Sequence, residues 1–138
     1  MFLNHHHAQL WHSELARLEA DDHHAVIGCL YASLFILTGM DAYDRIKDRI
    51  HATWLDIQDI LDNVRLSTGE QMLVKLAGHL YNGYGAVSLY DLFTYCDADC
   101  RGLVVGAVEM RNMTGSPLEE IRAVWNEHFF RPDLTPEQ

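Results

Sequence analysis

Apolar residues recur along this chain at steps of three and four, the period that turns one face of an α-helix toward a core. Leu10, Trp11, Leu15 and Leu18 form the first such stripe, behind Asn4, whose side chain can cap a helix start. Asp21 or Asp22 can cap a second helix running to a stop at Gly39. That helix is apolar on nearly every side through Val26, Ile27, Leu30, Tyr31, Leu34, Phe35 and Leu37, the pattern of the middle of a bundle. The uncharged run from Ala25 to Met40 is shorter than the roughly 20 apolar residues a membrane span needs, and it reads as a buried core helix. After Asp41, the residues Tyr43, Ile46, Ile50, Trp54, Ile57, Leu61 and Val64 keep the helical step. They fit one long core-facing helix, or two divided near His51 to Thr53, because Thr53 and Trp54 are mediocre helix formers.

Ser67 followed by Glu70 makes a capping box, and the helix it opens carries Leu73, Leu76, Ala77, Leu80, Tyr81 and Tyr84 on one face. Asn82, Gly83 and Gly85 end it, since both residue types tolerate a left-handed cap. Ser88 opens a short helix through Leu89, Leu92 and Phe93. Asp97 or Asp99 starts another, with Leu103, Val104, Ala107, Val108 and Met110 inside, and Gly102 and Gly106 permitting close packing. Gly115 stops that helix, and Ser116, Pro117, Leu118 and Glu119 form a second capping box with Pro at the favoured first position. Leu118, Ile121, Trp125 and Phe129 give the last helix its stripe. All three prolines, Pro117, Pro132 and Pro136, lie at or beyond that start. The expectation is an all-α protein: a compact single-domain bundle of six or seven helices over residues 1–130, with a loose tail over 131–138.

Composition agrees with one ordinary globular core: 138 residues, 49% hydrophobic and 22% charged. Charge changes the picture more. A formal net charge of −10 repels phosphate backbones, so direct nucleic-acid binding is not expected, and a partner with a basic surface is. Three cysteines and no basic, apolar leader at the start point to a reducing, cytoplasmic setting.

Candidate chemistry adds little. Six of the nine histidines cluster, as His5, His6 and His7 with His12 and as His23 and His24 beside Asp21 and Asp22, while His51, His79 and His128 stand alone. Adjacent helical residues point about 100° apart, so such runs do not converge on one ion, and no metal or other cofactor is expected. Cys96 and Cys100 have half a zinc spacing without a second pair; two small residues at a helix junction is the simpler reading. No nucleophile elbow, phosphate loop, dinucleotide fingerprint or zinc-protease motif is present, so an enzyme is not expected. Asp41, Asp44 and Asp48, and then Asp56, Asp59 and Asp62, recur opposite the apolar stripe. Arg45, Lys47, Arg49 and Arg65 interrupt them as partners along a solvated face.

Phe2, Leu3 and Asn4 followed by His7, the run Leu76 to Gly83, and the segment Ser88 to Arg111 resemble a family of small proteins encoded mostly by phages and prophages of Firmicutes. That family is defined only as a domain of unknown function. The resemblance spans residues 2–112. Cys96 and Cys100 stand outside its pattern, the final helix looks like an addition, and the family brings no active site to carry over. The resemblance implies a phage accessory protein that acts by binding a host protein, with a defence system such as CRISPR–Cas as the expected target. An acidic face would then meet the basic channel of a nucleic-acid-binding effector. Asp56, Asp59 and Asp62 are the first candidate contacts, followed by Trp54, Tyr84 and Tyr90 as aromatic anchors. The alternatives are a metal- or small-molecule-binding helical protein, and a structural module or homodimer joined through the Tyr43–Val64 stripe.

Overall fold

In the computed structural model of the chain, residues 2–83 and 86–112 are described. Tyr84, Gly85, the Gly115 stop, the Ser116 capping box, the last expected helix and the 131–138 tail lie outside them. The most apolar segment sits at the centre: every residue of α2 (Leu30–Thr38) is buried. A helix with no polar face needs neighbours all round. α2 packs chiefly against α5 (Thr68–Asn82) and α7 (Ala98–Asn112), and α1 (His5–Asp22) also packs on it. Trp11, Leu15 and Leu18 of α1 are buried, and the Trp11 indole N–H donates to the Tyr31 carbonyl at 3.2 Å. The two aliphatic hydroxyls inside α2 are satisfied, Ser33 by the Ala77 carbonyl at 2.6 Å and Thr38 by the Leu34 carbonyl at 2.8 Å. Seven α-helices and a 3-10 turn make up the described chain, which is all-α. No described helix is long and apolar enough to cross a membrane.

One sequence expectation needs correcting, and one open alternative is decided. First, α1 does not give way to a new helix at Asp21 or Asp22. Nothing there breaks it, and it runs on until His23 adopts a left-handed φ of 53° and its N–H closes on the Glu19 carbonyl. The central helix therefore starts only at Leu30, without a side-chain cap. The Asp22 carboxylate caps something else, accepting from the Ala52 N–H at 2.6 Å. Second, the Tyr43–Val64 stripe is divided, with the irregular stretch spanning His51 to Thr53 as the two-helix alternative has it. α3 (Tyr43–Ile46) passes into a 3-10 turn at Lys47–Arg49, Ile50 and Leu55 pair as an isolated antiparallel bridge, and α4 (Ile57–Asn63) follows. Of the stripe, Tyr43, Ile46, Ile50 and Ile57 are buried in the common core, Leu61 and Val64 are half-buried and Trp54 is exposed.

The caps are largely where side-chain chemistry puts them. Asn4 accepts from the His7 N–H, Ser67 and Glu70 form the full capping box, and Gly83 closes α5 at φ 78°. Ser88 caps α6 (Leu89–Tyr95), and Asp97 accepts from the Cys100 N–H at 2.9 Å to start α7. On these last two helices the expected inner faces are only partly inside. Leu92 is buried, but Leu89, Phe93 and Val108 are exposed. Glycine is needed at Gly78, where a Cβ would run into the Ile57 side chain; its absence lets α4 lie close on α5. Gly102 likewise admits Leu3, whose Cδ2 stands 3.0 Å from where a Cβ would be.

Candidate functional site

Helix caps set the position of an acidic cleft. The N-termini of α5 and α7 open on the same side as the turn between α2 and α3, and the chain start closes the far end. The cleft has two lobes of about 640 and 470 Å³ that share Gly39, Met40, Asp41 and Asp99. Five carboxylates line it: Asp41, Asp44, Glu70, Asp97 and Asp99. No lysine or arginine among the described residues does.

These carboxylates are not equivalent. Glu70 accepts from the Ser67 N–H at 2.9 Å as half of the capping box. Asp97 is held as a cap of α7, and the Cys100 N–H bond keeps its carboxyl below the usual range. Asp44 lies 3.8 Å from Lys47, an exposed and therefore weak pair. Asp41 and Asp99, which border both lobes, are exposed. The negative charge on offer to a partner is thus concentrated at the waist of the cleft.

Between the carboxylates, several lining side chains are held by hydrogen bonds. His7 is 3% exposed; its Nδ1 accepts from the Leu3 N–H at 3.2 Å, so Nε2 carries the proton and donates to the Phe35 carbonyl at 2.8 Å. Burial pulls its pKa down to about 4, against the raising effect of that carbonyl. Tyr43 donates to Glu14 Oε1 at 2.6 Å, and the same carboxylate takes Arg17 Nε at 2.7 Å. Burial first, then the bond to Glu14, lifts the phenol above its ordinary range. Cys100 faces the cleft as a thiol, its pKa pushed up to about 12 by burial and by the hydrogen bond it shares with Cys96. A group so protonated is a poor nucleophile at neutral pH. Among the described residues no three histidines, cysteines or carboxylates are grouped to hold a metal ion. What the cleft offers is a fixed acidic surface for a cationic ligand.

The residues singled out from sequence lie elsewhere. Asp56 caps α4 by accepting from the Asp59 N–H at 3.1 Å. Asp59 is tied to Arg49 Nη1 at 2.9 Å and to Asn63 Nδ2 at 2.8 Å. Asp62 accepts from Gln58 Nε2 at 2.8 Å. Trp54 is 46% exposed and shares a groove with Asp56; Tyr90 is 80% exposed but stands on α6; Tyr84 lies outside the described residues. The cleft itself was not singled out, because each of its carboxylates has a local role as a cap or helix-face residue. The available signal was that caps of different helices can meet at one end of a bundle.

Comparison with protein-family models, with curated proteins and with solved structures finds no match to this chain.

Proposed function

We propose that this is a phage or prophage accessory protein that works by binding a basic surface of a host protein, with a nucleic-acid-binding defence effector of the CRISPR–Cas kind as the first target to test. The observation that carries the binding half of this reading is the cleft, bordered by five carboxylates with no lining lysine or arginine among the described residues. A net charge of −10 gives long-range attraction to a cationic surface, and the cleft supplies a place for it to dock. The phage origin and the defence target rest on the family resemblance over residues 2–112. The exposed Asp56 and Asp62, with Trp54, extend the acidic surface beyond the cleft.

The test is capture of the tagged protein's partner from defence-positive host lysate, together with phage plating on cells expressing the protein. A captured effector subunit and restored plating are expected, both reduced by Asp41→Lys with Asp99→Lys. Unchanged plating and no defence component among captured proteins would refute the defence target. Binding that survives the double charge reversal would remove the cleft from the interface.

A further inference from the structure

The loop between Ile50 and Leu55 is short, yet it is held more firmly than its position on the surface requires. Ala52 at its tip is fully buried. Its N–H donates to Asp22 at 2.6 Å, and its carbonyl accepts from the Ile27 N–H at 3.0 Å. The His51 N–H donates to the Trp54 carbonyl at 3.2 Å, closing the turn. The Tyr81 hydroxyl reaches the Thr53 carbonyl from α5 at 3.5 Å. So α1, the segment before α2, and α5 all grip one loop.

That loop displays a tryptophan. Trp54 is 46% exposed, its ring stacked on His51 with centroids 4.5 Å apart and planes 13° from parallel. His51 covers one face of the ring, and Trp54 also lines a groove of about 330 Å³ that takes in Asp56 and Tyr81. Leu55 is buried while Trp54 and Asp56 are exposed, the alternation of an extended segment. Side chains two apart on such a segment emerge on one side, roughly 7 Å from each other. Asp56 uses Oδ1 to cap α4, and a carboxylate has acceptor capacity to spare. Arg49, a nearby cation, is committed to Asp59.

The geometry points to this groove as a docking point for an arginine side chain of a partner protein, the guanidinium lying on the Trp54 ring and donating to Asp56. Arginine fits better than an apolar residue because the groove pairs a π face with an anion, the two elements that recognise a planar cation. It fits better than lysine because a plane can stack and form a directed hydrogen bond at once. The pinned loop means the ring need not be ordered on binding. The inference rests on the basic-partner reading above and gives it a residue type.

The experiment titrates the whole protein with a blocked glycine–arginine–glycine peptide and with its neutral citrulline counterpart, following the tryptophan indole N–H signals by NMR. Trp54→Leu assigns the Trp54 signal, and the Trp11 indole, bonded inside the core, serves as internal control. A saturable shift of the Trp54 signal alone is expected, on the order of millimolar in affinity for so small a probe. Asp56→Asn keeps a competent helix cap and removes the charge, so it should weaken binding several-fold, as should citrulline. No saturable shift, or equal shifts with arginine and citrulline, would overturn the assignment. A Trp54 shift on simple dilution of the protein would overturn it too, by giving the groove to a second copy. Captured host protein with no arginine response sinks this inference and leaves the broader reading standing; an arginine response without plating rescue supports this inference and counts against the defence target alone.

Discussion

His7 shows how one side chain can carry both packing and pH behaviour. Its ring is sealed between the Leu3 N–H and the Phe35 carbonyl, and its pKa is about 4 in the folded chain against an ordinary 6.5. The unfolded chain therefore takes up this proton first as pH falls. The stability His7 contributes is complete above about 6.5 and is lost progressively between 6.5 and about 4, to the extent of about 3 kcal/mol. Urea unfolding of the wild type and of His7→Gln across that range should show the steeper loss in the wild type. Parallel curves would assign the pH dependence to other groups. Gly78 offers a second residue-scale test. Alanine there gains helix propensity but overlaps Ile57, so a net loss of about 1–2 kcal/mol is expected. Ile57→Val in the same chain should recover part of it, which a double-mutant cycle in thermal unfolding would measure.

At the scale of elements, the Ile50–Leu55 loop depends on a carboxylate from α1. Asp22→Ala leaves the Ala52 N–H buried without its acceptor, at a cost of about 1–3 kcal/mol. Amide exchange over residues 50–55 should quicken more than in α5; uniform quickening would mean the bond supports the whole fold instead. The same aspartate explains where sequence reading held and where it slipped. Asn4, Ser67, Ser88 and Asp97 cap helices as their types and positions suggest, because a cap is decided within four residues. Asp22 has the same chemistry but spends it thirty residues away, which no local pattern reveals. The helical step from Tyr43 to Val64 was equally ambiguous, since a stripe continues unchanged across a turn if both halves face one core. The cleft was legible only as separate caps and helix-face residues. Its assembly from four parts of the chain is a tertiary fact.

For the whole molecule, acidity and shape act together. With a net charge of −10 and an acidic cleft, association with any basic partner should be driven by long-range attraction. The on-rate should fall steeply between low salt and physiological ionic strength while the off-rate changes little, readable by stopped-flow or surface binding kinetics. A salt-independent on-rate would move the interface away from the carboxylates.

The burial of α2 on every side also governs the order of events during synthesis. Its chief neighbours α5 and α7 lie downstream, so a ribosome that has released only the first seventy residues has exposed an apolar helix that α1 and α3 cover only in part. The bundle cannot close until α7 has emerged, and a chain cut before residue 98 should be held by chaperones or lost to proteases rather than yield a smaller version of the protein.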